Sequence, residues 1–120
     1  MPTSEPLARF RDRLTLPLIA APMFLVSGVD LVVAACRNGV IGSFPTVNCR
    51  SPEQLDAWLG DMRAQLRRAA DDTGRAAAPI CPNLIVHRSN ARLEQDLQVL
   101  LRHAPEIVIT SVGSPAPVLA

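Results

Sequence analysis

Two hydrophobic periods alternate along this chain. Four apolar runs without internal alternation are separated by stretches whose apolar residues recur every three or four positions. The first run, Leu16 to Met23, reads Leu-Pro-Leu-Ile-Ala-Ala-Pro-Met, the pattern of a strand buried on both faces. Small residues at its exit, Ala21-Pro22-Met23, let backbone approach a flat ligand, and Pro22 has no N–H to leave unpaired and stiffens the strand end. An ordinary core strand that ends at a proline is the alternative reading. Val29 to Asn38 follows with Val29, Val32, Val33 and Cys36 at helical spacing, and Asn38-Gly39 supplies a stop. Val40 to Phe44 is a second strand. Pro45-Thr46-Val47-Asn48 then leads to Ser51, an N-cap followed by Pro52 at the first helical position and Glu53 in the first turn. The helix from Pro52 to about Ala70 puts Leu55, Trp58, Leu59, Met62 and Leu66 on one face. Asp56, Asp61, Arg63, Arg67 and Arg68 form its solvated face.

Asp71 to Pro79 reads as a polar, Ala-rich linker containing Gly74. Ile80 to Val86 is a third apolar segment, broken by Pro82 and Asn83. Ser89 caps a helix running to about His103, with Leu93, Leu97, Leu100 and Leu101 inward. Glu106 to Ser111 is a fourth strand, after which Gly113-Ser114-Pro115 opens one more helix that has barely begun at Ala120. Strands alternating with helices imply a parallel α/β sheet with right-handed crossovers. Two architectures satisfy that order: an open doubly wound sheet, and the first half, four β/α units, of a TIM (β/α)8 barrel. A complete barrel takes about 250 residues, and the unfinished last helix leads us to expect a truncated chain. Residues 1–15 are an N-terminal extension and 16–120 the partial barrel domain. Open ladders at both sheet edges make self-association an expected hazard.

Composition removes several function classes. The 120 residues are 48% hydrophobic and 19% charged with a net charge of +1, so nothing favours nucleic acid or an anionic surface. Three Phe, one Trp and no Tyr leave little for base stacking. No Gly-x-Gly-x-x-Gly follows a strand and no Gly-x-x-x-x-Gly-Lys loop occurs. Cys36, Cys49 and Cys81 are odd in number and lack metal-knuckle spacing; as reduced, buried thiols they point to a cytoplasmic setting. Arg9, Arg11 and Arg13 before the apolar stretch from Leu14 to Cys36 imitate a signal or lipoprotein leader. Pro17, Pro22, Gly28 and Asp30 interrupt that stretch, so it reads as strand plus helix and not as a membrane segment. His87 is a loop residue just past strand three. His103 closes a helix, where it favours the macrodipole and nothing more.

Four markers together resemble the N-terminal half of the nitronate monooxygenase (2-nitropropane dioxygenase) family of FMN-dependent barrels. They are Ala21-Pro22-Met23 closing strand one, the Asn-Gly-x-x-Gly turn from Asn38 to Gly42, Asn83-Leu84 at the end of strand three, and Ile107 to Ser111 followed by Gly113 and Pro115. Related enoyl-reductase and IMP-dehydrogenase-like barrels share some of them. The resemblance covers Leu16 to the end, under half of a typical member. It implies FMN as cofactor, alkyl nitronate and O2 as substrates, and cofactor-binding roles for Ala21, Pro22, Met23, Asn83, Thr110 and Ser111. Ala21, Pro22 and Met23 would line the flavin ring, and Asn83 would hydrogen-bond its polar edge through an amide that both donates and accepts. Thr110 and Ser111 stand at a strand's C-terminal end, where barrels place active-site groups; their alternative is a hydroxyl bonded to its own loop, and for Asn83 it is a turn former after Pro82. The family's catalytic histidine and glycine-rich phosphate loops belong to its second half, so the resemblance implies no catalytic residue in this chain; no metal site is expected either. It is expected to bind FMN weakly or not at all and to be inactive alone. A non-catalytic, self-associating half barrel and a flavin-free, small-molecule-binding α/β domain are the competing readings.

Overall fold

In the computed structural model, Ala8 and residues 10–119 are described; residues 1–7, Arg9 and Ala120 lie outside them. The expectations for most of the N-terminal extension, for Arg9 and for the chain's last residue therefore carry no structural account. Four strands, β1 (Ile19–Ala20), β2 (Ile41–Pro45), β3 (Ile80–Ile85) and β4 (Ile109–Ser111), form one sheet in the order β1-β2-β3-β4 with every neighbour parallel. Helices α1 (Val29–Arg37), α2 (Pro52–Thr73) and α3 (Leu93–His103) connect them, and α4 (Ala116–Leu119) follows β4. A doubly wound sheet reverses its strand order at a switch point. Here the order never reverses, and the sheet curls as half of a (β/α)8 barrel.

Strand periodicity sorts side chains between two faces. Phe44 and Leu84 point to the helices, where they meet Val32, Val33 and Cys36 of α1, Leu55, Leu59 and Met62 of α2, and Val99 and Leu100 of α3. The register Ser43↔Cys81, Pro45↔Asn83, Asn83↔Ile109 and Ile85↔Ser111 puts these residues on the concave face. Gly42 faces α1 at a close crossing: a Cβ there would lie 2.7 Å from the Val32 carbonyl oxygen and 3.0 Å from the Cys36 sulfur. Gly39, at φ 79°, ends α1 in the left-handed conformation against Thr15, whose N–H donates to its carbonyl at 2.8 Å. Both glycines of the Asn38–Gly42 turn thus have a steric reason. Ser51 Oγ accepts the Gln54 N–H at 3.1 Å and Gly74 closes α2 at φ 73°. Below the sheet, Arg13 donates to the Ala77 carbonyl at 2.8 Å and pairs with both Glu106 carboxylate oxygens at 2.9 Å. That staple ties the chain ahead of β1 to the entries of β3 and β4.

Several sequence expectations need correction. The segment Leu16 to Met23 is not a strand buried on both faces: only Ile19–Ala20 pairs, and Leu16, Leu18 and Ile19 are 42–53% exposed. β1 is a sheet edge flanked by Pro17 and Pro22. Pro82 and Asn83 do not break β3. Val86 donates to the Ser111 carbonyl, so even-numbered residues of β3 turn toward β4, and the missing N–H of Pro82 falls opposite a position before β4 begins. α2 continues through Thr73, shortening the linker. Ser89 does not cap α3. Its hydroxyl meets His87 Nδ1 at 2.8 Å, while Asn90 bonds the Ile85 carbonyl and the Arg92 N–H and delays the helix to Leu93. In α3, Leu101 is 62% exposed and Asp96 is buried instead. β4 is confined to Ile109–Ser111. His103 does more than close a helix: its Nε2 lies 2.6 Å from Asp56 Oδ1, and its carbonyl accepts from Arg63, joining α3 to α2.

The glycine geometry sets opposite signs for two substitutions. Gly42→Ala overpacks a backbone contact and is expected to lower unfolding free energy by about 1–3 kcal/mol. Gly60, exposed mid-way along α2, has nothing within 4 Å of an added Cβ, so Gly60→Ala should raise it by about 0.5–1 kcal/mol. Urea midpoints at constant slope check both.

Candidate functional site

The C-terminal strand ends form the mouth of the half barrel, the edge where this architecture places ligands. Ala21, Pro22 and Met23 lie in the loop from β1 to α1, with Met23 45% exposed. That loop is pinned from two sides. Ser27, itself buried, accepts the Met23 N–H on its hydroxyl at 2.8 Å. Asn48, in the 3-10 turn Thr46–Asn48 after β2, donates to the carbonyls of Met23 at 3.0 Å and Ser27 at 2.9 Å and accepts the Leu25 N–H at 2.9 Å. Leu25 sits at φ 64°, a left-handed conformation that costs a non-glycine residue roughly 1–2 kcal/mol. Phe24, Leu25 and Val26 are held outward, each at least 64% exposed.

The second part of the site is on the concave face. Asn83 is 7% exposed, and its amide donates to the Ile109 carbonyl at 3.2 Å and to Ser111 Oγ at 3.0 Å. It lies inside β3, not in a turn. Ser111 finds its partner across the ladder instead of in its own loop. Asn83 Oδ1 accepts nothing among the described residues. Thr110, paired with Leu84, falls on the opposite, helix-facing side. The structure therefore brings Asn83 and Ser111 together, carries Ala21–Met23 to the same mouth on the neighbouring edge, and turns Thr110 away from the concavity.

Sequence reasoning missed the residues that hold these walls. Asn48 and Ser27 are one group; the signal was an Asn and a Ser in loops after successive strands, a pattern too common to single out. Arg92 and Asp96 are another. Their ion pair, 2.9 Å long with Asp96 fully buried, sits under the 3-10 turn, and Arg92 also donates to the carbonyls of Cys49 and Thr46. His87 bonds Ser89 and remains a loop residue. The cysteines are free and buried. Burial pushes their thiols up, Cys36 and Cys81 to about 11 and Cys49 to about 12, from an ordinary 9.0; none is an activated nucleophile. Among the described residues no group of three or more His, Cys, Asp or Glu is placed to hold a metal ion, and no helix is long and apolar enough to cross a membrane.

Compared with protein-family models and with curated proteins, the chain matches none.

Two outcomes follow. Asn48→Ala removes three hydrogen bonds at a partly exposed site and should cost about 1–3 kcal/mol, with amide exchange at Leu25 and Ser27 accelerating well beyond that at β3. The folded chain holds the thiols protonated where the unfolded chain ionises them, so their contribution is whole below pH 9 and is lost as pH rises from 9 toward 11–12. Urea titrations at pH 8 and pH 10.5 should show that loss, and replacing Cys49 by Ala should make it smaller.

Proposed function

We propose that this half barrel is the flavin-ring side of an FMN-dependent oxidoreductase of the nitronate monooxygenase type. The observation that carries the proposal is the pairing of two unlike walls at one mouth: an immobilised, exposed apolar strand exit at Ala21–Met23, and a buried amide, Asn83, whose donors are used by Ile109 and Ser111 and whose acceptor remains. An isoalloxazine ring is flat and apolar over most of its face and carries a donor N–H on its polar edge. The residues present fit that end of the cofactor. FMN, when bound, would supply the electron-accepting chemistry by which an alkyl nitronate is oxidised with O2.

This chain's own groups would orient and enclose. Ala21 and Pro22 offer backbone and small side chains for close approach, Met23 a polarizable side chain beside the ring, and Asn83 Oδ1 an acceptor fixed by two hydrogen bonds. Ser111 acts through Asn83, holding its amide plane. Thr110 faces the helices and is left out of the ring contact. Arg13 is engaged in the Glu106 staple and Arg92 in its ion pair with Asp96. The proposal includes no phosphate clamp in this half, so ring contact is expected to dominate affinity over phosphate contact.

Flavin fluorescence titration tests this. Lumiflavin and FMN should both be quenched, with dissociation constants in the range of about 0.1–1 mM, equivalent to roughly 4–5 kcal/mol, and within about threefold of each other. Met23→Glu, at an exposed position, should abolish quenching and leave the circular dichroism spectrum intact. No quenching of either flavin by the native chain would overturn the flavin reading and favour a flavin-free small-molecule domain.

A further inference from the structure

The two edges of the sheet are built alike. Natural edge strands are blunted by short length, prolines or charges; both strands here are short and Pro17 and Pro22 flank β1, but among the described residues charges are missing. Here Thr15 to Val29, around β1, and Ile107 to Leu119, around β4, contain no Asp, Glu, Lys or Arg, although charged residues are spread through the segments between. Ile41 donates to the Leu18 carbonyl, and Ser111 accepts from Val86. Alternation along a parallel ladder then turns the N–H and C=O of Ile19 outward on one edge and those of Thr110 outward on the other. Side chains repeat the match. Leu16, Leu18 and Ile19 stand half exposed at the first edge; Leu101, Val112 and Leu119 are 61–79% exposed at the second.

We propose that a second copy of this chain covers both edges, closing an eight-stranded parallel barrel of two half barrels. The argument for a copy is the strand order. Four parallel strands in sequence order are half of a (β/α)8 barrel, so a twofold axis along the barrel sets β4 of each copy beside β1 of the other. The two junctions are identical, which makes the interface self-complementary and closed. α4 packs Val118 toward the core and begins where a helix is needed over the junction. Leu18 lies on the helix-facing side of β1, because Ile19 pairs with Ile41 on the concave side, and it would be covered by the partner's α4. Pro17 limits the new pairing to the Ile19 region, a length suited to the three residues of β4. Closure also gives the concave face around Asn83 and Ser111 an opposing wall. The proposal rests on the half-barrel fold alone, and its test reads mass, so its failure and that of the flavin reading are separable.

Sedimentation velocity on the 120-residue chain should give one species at twice the 12.9 kDa chain mass, with a dissociation constant of about 1 μM or tighter. Leu18→Glu buries an unpaired charge at each junction and should weaken the dimer at least about tenfold, as should Leu119→Lys, with unchanged circular dichroism because both side chains are exposed in the single chain. Both substitutions in one chain place opposite charges at each junction and should restore much of the association. A native monomer, an open series of larger aggregates, or a dimer indifferent to both single substitutions would overturn the proposal.

Discussion

A parallel sheet has to be covered on both faces, and its edges have to be paired or protected. That requirement organises this molecule. Three helices satisfy it for the outer face of β2 and β3, whose residues are almost all buried, with Phe44 and Leu84 fully so. Among the described residues it is unmet at β1 and β4, and most of the exposed large apolar residues collect there and in the loop that leaves β1. The same side-chain chemistry therefore reads as core in the middle of the sheet and as unpartnered surface at its margins. What differs is position in the strand order.

At the mouth, the first two loops are each held by a side chain from the loop that follows. Arg92, before α3, bonds the carbonyls of Thr46 and Cys49 in the loop after β2. Asn48, in that second loop, bonds Met23, Leu25 and Ser27 in the loop after β1. The chain of contacts is anchored by the buried Asp96 carboxylate, whose charge requires Arg92 to stay in place; breaking such a pair by removing one partner typically costs about 3–5 kcal/mol. A buried ion pair far from β1 in sequence thus fixes the backbone around Met23.

The alternation of periods made the parallel α/β fold legible, because burial on two faces and burial on one leave different residue spacings. Ser51, Pro52 and Asn38-Gly39 marked helix ends for local steric and hydrogen-bonding reasons, and those ends were readable. Edge exposure was not: Leu16 to Ile19 have the composition of a core strand, and only the sheet order shows that one side lacks a neighbour. Pro82 looked like a breaker because the register that starts β4 opposite Asn83, beyond Pro82, cannot be seen in one segment. Nothing in the periodicity marked Asp96 as buried, because only the fold seats it with Arg92 under the 3-10 turn. For the site, Asn83 and Ser111 were legible as strand-end polar residues, yet the alternation that separates Ser111 from Thr110 needed the pairing Leu84↔Thr110.

The relay of loops bears on whether a binding wall in half a barrel can be in working shape. A site assembled from two halves is ordinarily preorganised only when both are present. Here the backbone of the Met23 loop is fixed by Ser27, Asn48 and, through them, Arg92 and Asp96, all from this half. Asn83 is fixed by Ile109 and Ser111, also from this half. The conformational strain at Leu25 is carried by hydrogen bonds that do not cross the open edges. Completing the barrel would then add a facing wall and exclude water, and the apolar strand exit and the buried amide would already stand where a ring could meet them.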